Sequence, residues 1–455
     1  LYYVVMLIGV RFWGRVTSWA LVHTYALQAP DLMLALGIEP MTTALVALPA
    51  MLMLAVLALV LARRLGWVRR IGARLSTGLL MAAATAALAI GSIELTRFVL
   101  QPRFDLSEPF SLSFFPQHQG GIAGQSQLVL PNRIRDAATR QARESYLPNP
   151  DADRRNVIVF VGDALRAGHM GIYGYARDTT PRLRECVAQG GVERVARARA
   201  VCAESACGLR ALAESTYVHE FSAEAFSLQE VLRRHGYRIH LVMGGDHTNF
   251  YGLREAYGAV DSYFDGSMAP GRYMNDDRLL LERIAEFPRW DGTPVMIQFH
   301  LMSTHGLGLR LPEFERFAPS NNYYRFDPFS DSATSHAHEA SINFYDNGVL
   351  QFDHMVAELT EALGSKGYLE RAILVVTGDH GEMLGEHDVF GHQREVFEPV
   401  LDVPLVFIPA GAPFGAAVHT GTLASQVDLA PTLLAEMNMP IPESWSGRAL
   451  QHPDP

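Results

Sequence analysis

Apolar and polar positions divide this chain into two regimes. Residues 41–62 and 75–93 are apolar runs almost free of charge, each long enough to cross a bilayer as a helix. A helix of a soluble protein keeps a polar face, and 41–62 has none. Between the runs stand Arg63, Arg64, Arg69, Arg70 and Arg74, a cluster that predicts a cytoplasmic loop. An earlier stretch, 18–38, is also apolar but is interrupted by Pro30 and Asp31. Read as a third span, it puts Arg11 and Arg15 on the same inner side as the arginine loop. The chain opens on Leu1 inside another apolar run, so further residues are expected before it. Everything after about Arg103 is then expected outside the cytoplasm. Residues 102–155 contain scattered Pro, Ser, Gln and Gly with little periodicity, and read as a linker along the membrane or against the next domain.

From residue 156 the period changes. Residues 157–161 form an unbroken apolar run of strand length, which predicts a strand buried on both faces of a parallel sheet. Further strands are expected over 237–243, 294–301, 372–376 and 403–408. Helices are expected from Pro181 onward, with proline at the first helical position, and over 227–235, 275–287, 337–363 and 427–437. In 337–363 the residues Tyr345, Val349, Phe352, Val356, Leu359 and Leu363 recur at helical spacing. Such alternation predicts an α/β domain with a mostly parallel sheet flanked by helices. The chain therefore reads as transmembrane helices over 1–101, a linker over 102–155 and an extracytoplasmic catalytic domain over 156–455.

Composition narrows this further. Of 455 residues, 38 are Lys or Arg and 48 are Asp or Glu, a net charge of −10, which argues against a general nucleic-acid binder. The only cysteines are Cys186, Cys202 and Cys207, too few for a four-cysteine zinc site or a disulfide framework. Acid and imidazole gather instead at expected strand ends: Asp163, His305, and Asp379 with His380. Close behind follow Glu386, His387, Asp388 and His392. A carboxylate at the C-terminal end of a central parallel strand lies where open α/β sheets bind ligands. The other reading of Asp163 is a cap on a helix beginning near Leu165.

These pieces resemble the sulfatase branch of the alkaline phosphatase superfamily over about 156–450. The resemblance rests on Asn156 through Tyr175 with Arg177 through Pro181, on Gly378-Asp379-His380-Gly381-Glu382, and on Gly385-Glu386-His387 with Gly391-His392. Asp428 through Leu433 and Gly447-Arg448 add to it. The layout is similar to that of membrane-anchored phosphoethanolamine and phosphoglycerol transferases, lipoteichoic acid synthase among them. An alkaline-phosphatase-like fold is implied, with the nucleophile at the start of a helix. Aligning Ala211 through Ser215 with the family's small-residue helix puts Ser205 there, the alternative being a plain helix cap. Two departures stand out: the Cys-x-Pro-Ser-Arg motif that yields formylglycine is absent, and one aspartate, Asp163, stands where sulfatases carry two.

The ligand set so implied is Asp163, Ser205, Asp379 and His380. Three oxygens and one imidazole suit a single zinc or manganese ion better than calcium. By resemblance, His305 and His392 move protons, and Arg254 and His247 neutralise phosphoryl charge. The implied reaction is transfer of a phosphoglycerol or phosphoethanolamine group from a membrane lipid to an envelope glycan or lipid through a phospho-serine. The alternatives are a hydrolase of sulfuric or phosphoric esters, and a catalytically silent binding protein. Cys202 and Cys207 flank the nucleophile and are either bridged or free.

Overall fold

The computed structural model describes residues 19–37, 133–221, 224–248, 254, 257–324, 335–392, 396–421 and 423–452, with single helical positions at 52, 53, 56, 57 and 60. The expected spans 41–62 and 75–93 otherwise lie outside the described residues, as does 102–132 of the expected linker. The chain forms two units, Leu1–Gly37 with Leu112–Pro455, and Ile38–Ser111.

Twelve strands occur among the described residues of the larger unit. In chain order they are β1 (Asn156–Gly162), β2 (Glu193–Arg194), β3 (Arg197–Arg199), β4 (Arg238–Met243), β5 (Ser262–Asp265), β6 (Val295–Leu301), β7 (Ala372–Gly378), β8 (Met383–Leu384), β9 (Phe390–Gly391), β10 (Asp402–Val403), β11 (Leu405–Ala410) and β12 (Leu423–Ser425). The main sheet runs β2-β11-β7-β1-β6-β4-β5, with β10-β3-β12 and β8-β9 as small additions. From β7 to β5 every pairing is parallel, and β11 joins β7 antiparallel.

Alternation along β1 explains the two-faced burial. Val157, Val159 and Val161 enter one core with Leu209, Leu212, Val231 and Leu433. Ile158 and Phe160 enter the other with Ile284, Tyr345, Val349 and Phe352. Successive side chains of a strand point to opposite faces, so an unbroken apolar run feeds helices on both sides. The 31-residue helix Ser335–Ser365 covers the second face, and Phe160 stacks on Phe299 of β6 at 5.1 Å between ring centroids.

Four expectations change. No helix begins near Leu165: Ala164 adopts φ 62°, and the chain makes two 3-10 turns, Ala167–His169 and Gly171–Tyr173. The expected strand 403–408 divides between two sheets, because β10 pairs with β3 while β11 pairs with β7. Within 102–155 a helix that the sparse periodicity did not predict forms at Arg133–Ser145; Arg143 bonds Glu230 at 3.1 Å and Tyr146 bonds His235 at 2.9 Å, so this part lies against the domain, one of the two places expected for it. The stretch 18–38 is two short helices, Trp19–Leu27 and Ala29–Ala35. Pro30 has no N–H to continue the first helix but is tolerated in the first turn of the second. Among the described residues, no helix is long and apolar enough to cross a membrane.

Candidate active site

Four neighbouring parallel strands, β7-β1-β6-β4, bring their C-terminal ends to one place. Gly162 pairs with both Leu301 and Gly378, and His300 pairs with both Val161 and Met243. Asp163 therefore leaves β1 beside Asp379 and His380 leaving β7, with His300 between them and β4. Ala164 locks this arrangement. Its left-handed conformation costs about 1–2 kcal/mol for a residue with a Cβ, and it aims the Ala164 N–H at Asp379 Oδ1, 3.0 Å away. Tyr345 holds the same turn by donating to the Ala164 carbonyl at 2.6 Å.

Ser205 is the first residue of the buried ten-residue helix Ser205–Glu214, which follows Glu204 in extended backbone. Its Oγ lies 3.2 Å from His380 Nε2. The helix starts this close because residue 208 is glycine: a Cβ there would stand 2.1 Å from the Asp379 carbonyl oxygen. A helix N-terminus favours negative charge on an alkoxide or an attached phosphoryl group. Cys202 and Cys207 are joined as a disulfide across this helix start, and Cys186 is free.

The site has the donors of a cation site. Ligand atoms of Asp163, His300 and Asp379 lie within 4.8 Å of one another. His380 Nε2 is 3.6 Å from both Asp163 Oδ1 and Asp379 Oδ2, and its Nδ1 donates to the Gly381 carbonyl at 2.8 Å, which leaves Nε2 a lone pair. Asp163 Oδ1 is buried with no hydrogen-bond partner, and an orphaned buried acceptor is costly. Burial, with the charges of Asp379, Glu382 and Asp277, pushes the Asp163 carboxyl well above the usual carboxylate range. Burial alone would raise Asp379 too, but His380 and His300 pull it below that range. Two buried carboxylates driven apart in this way mark a place where a cation would relieve the repulsion. These residues fit a divalent metal.

His300 was not among the site residues expected from sequence. Its signal was an imidazole inside a wholly buried strand, Val295–Leu301, where a polar ring needs a partner. His300 Nε2 lies 3.4 Å from Asp379 Oδ2, and its Nδ1 is 3.0 Å from His247 Nε2. His247 Nδ1 in turn is 3.4 Å from the Tyr257 hydroxyl. Run with His300 Nδ1–H donating to His247, this relay frees His300 Nε2 as a metal donor. Burial and His300 lower His247 to about 3, so it stands behind His300 as a neutral ring. The Arg254 guanidinium sits 4.5 Å over the Tyr263 ring and donates to the Gly258 carbonyl at 3.2 Å.

His305 and His392 come together on the other side of His380. The His392 ring centroid is 4.2 Å from that of His380 and 5.3 Å from that of His305. Glu382 Oε1 accepts from His392 Nδ1 at 2.9 Å, while its Oε2 accepts from Tyr323 at 2.8 Å. Burial opposes charge on His392, but Glu382 raises it above the ordinary imidazole value. Burial, with the charges of His392 and His380, holds His305 well below it. One ring is thus biased toward the imidazolium and its neighbour toward the free base.

A family model described as Sulfatase matches residues 155–439. In sequence the chain is similar to phosphoethanolamine transferase EptA of Helicobacter pylori, 24% identical over 298 residues, or 61% of this chain and 53% of that protein. In structure it is similar to the integral membrane protein lipooligosaccharide phosphoethanolamine transferase A (EptA) from Neisseria meningitidis, with a TM-score of 0.55 at 19% identity, covering 81% of this chain and 70% of that one. It is also similar to the C-terminal periplasmic domain of EcEptC from Escherichia coli in complex with Zn, with a TM-score of 0.55 at 16% identity, covering 68% and 89%. These two likenesses carry the fold. The chain spans about half the length, or less, of the curated relatives it matches.

Proposed function

The chain belongs to the sulfatase family, and from that premise we propose that it is a membrane-anchored, metal-dependent phosphotransferase. It moves a phosphoethanolamine or phosphoglycerol group from a lipid to an envelope glycan or lipid through a phosphorylated Ser205. The observation that carries this reading is Ser205 Oγ at a helix N-terminus, 3.2 Å from His380 Nε2, beside the orphaned Asp163 Oδ1. The names of the relatives favour phosphoethanolamine as the group.

Asp163, Ser205, Asp379 and His380 would hold the metal, with His300 as a further donor. Zinc is favoured over manganese by the Zn-bound neighbour and by the imidazole donors. A bound divalent ion would lower the pKa of the Ser205 hydroxyl and neutralise phosphoryl charge. Ser205 Oγ attacks phosphorus in line as the alkoxide, its proton released to solvent beforehand and regained after turnover; the new O–P bond forms as the bond to the lipid alkoxide breaks. His392, its Nδ1 held by Glu382 Oε1, gives a proton to that leaving oxygen. His305, a neutral base, takes the proton of the acceptor alcohol as it displaces Ser205. The split in their proton affinities supports this division of labour.

Wild-type protein given a headgroup-labelled phosphodiester lipid should pass the label to an alcohol more readily than to water, and aryl sulfate should be a poor substrate. Formylglycine expels sulfate by collapsing to the aldehyde; a plain serine has no such exit. Brisk sulfate release with no transfer would establish the hydrolase reading instead.

The domain is read as extracytoplasmic, held to the plasma or inner membrane by the apolar runs. Reporter fusions after residue 70 should behave as cytoplasmic and fusions after residue 110 as external. A cytoplasmic signal from the second fusion reverses the orientation.

A further inference from the structure

The second of the two helices of 19–35, Ala29–Ala35 with Gln28 as its cap, grips the catalytic domain at both ends, and both grips lead to the loop that carries His305. At the first, the Gln28 side-chain amide pairs with backbone as a neighbouring strand would. Its Nε2 donates to the Arg272 carbonyl at 2.9 Å, and its Oε1 accepts from Met274 N–H at 3.0 Å. The next residues hold the loop: Tyr273 and Asn275 both donate to the Leu307 carbonyl, at 2.7 and 3.2 Å.

At the second grip, the buried Asn322 joins three segments. Its Nδ2 donates to the carbonyl of Ala35, the last residue of its helix, at 2.9 Å and to the Gly306 carbonyl at 2.6 Å. Its Oδ1 accepts from Tyr324 N–H at 2.8 Å. The Tyr324 ring packs edge-on to His305 with centroids 5.8 Å apart, and its hydroxyl lies 3.4 Å from His392 Nδ1. The fit is tight because residue 306 is glycine: a Cβ there would meet the Tyr324 ring at 2.4 Å. The outward side of the helices carries exposed Leu27 and Leu34.

We propose that the helical pair of residues 19–35 forms a wall of the active site, and that Asn322 is a positioning residue that carries its hold, through Gly306 and Tyr324, to His305 and His392. The inference rests on the phosphotransferase reading above. A helix carbonyl buried at its C-terminal end needs a donor, and Asn322 supplies it while fixing the segments on which both proton-transfer groups depend. The N-terminal region then does more than anchor: without it the two histidines lose their spacing.

The test uses the full chain and bis(p-nitrophenyl) phosphate, a soluble phosphodiester that needs no membrane. Asn322→Ala and Gln28→Ala should each lower kcat about tenfold, less than the roughly hundredfold that a full ångström of misplacement can cost, with KM and bound metal unchanged. Asn322→Asp keeps the acceptor for Tyr324 but loses both donors, so it should behave as the alanine variant does. Should Asn322→Ala not fold, Gln28→Ala decides, since it lies at the opposite end of its helix from the Asn322 grip. Wild-type kcat in Gln28→Ala, or a rise in KM alone, overturns the proposal while Ser205→Ala stays inactive. Turnover by Ser205→Ala would instead overturn the phosphotransferase reading.

Discussion

Ser205→Ala should lower turnover of a phosphodiester lipid by at least about 10⁴-fold, the scale on which covalent enzymes lose activity with their nucleophile. Fold and metal should survive. Among the described residues the hydroxyl's hydrogen-bond partner is His380 Nε2, it would supply only one of several metal donors, and alanine is the best helix former for the first turn it occupies. Loss of the proposed attacking hydroxyl should therefore disturb little else. Wild-type protein quenched at low pH should show, by intact-mass spectrometry, one added headgroup phosphoryl mapping to Ser205, absent from the variant. A formylglycine at Ser205 or Cys202, or an unlabelled Ser205 during brisk turnover, would sink the phospho-serine step.

Removing Asp379 should strip the metal. Asp379→Ala deletes a carboxylate within 4.8 Å of the other donors and also orphans the N–H groups of Ala164 and His380, which its Oδ1 accepts at 3.0 and 2.9 Å. Each orphaned buried donor costs about 1–3 kcal/mol, so this variant should lose stability as well as metal. Asp379→Asn separates the two effects: its carbonyl oxygen can still accept both N–H groups, while the charge that balances a cation is gone. Elemental analysis should find one divalent ion per wild-type chain and little in either variant, with the melting temperature lowered chiefly in the alanine form. Full metal occupancy in Asp379→Asn would show that the cation is held elsewhere.

What the sequence determined by itself was the sheet and the acidic and imidazole residues that sit on its strand ends. An unbroken run such as 157–161 has one stable environment, between two layers of helices, and β1 lies there with opposite faces in two cores. A strand's end is local information, so Asp163, Asp379 and His380 were legible from where their strands stop. The start of the Ser205 helix was legible from the family pattern. Tertiary structure alone decided what depends on distance through space. His300 belongs to the cluster because β6 is the parallel neighbour of β1, a pairing between segments well over a hundred residues apart. The same pairing across β4 sets His247 behind it. Ala164 overrode the expected helix because its N–H finds Asp379 Oδ1 only when the chain turns left-handed there. The stretch 18–38 reads as one apolar span, yet it is two helices because Pro30 interrupts the ladder and Gln28 finds backbone partners at Arg272 and Met274. Hydropathy averages over such a stretch, whereas a single amide that satisfies a distant backbone acts at one residue, and only the folded chain shows where that backbone lies.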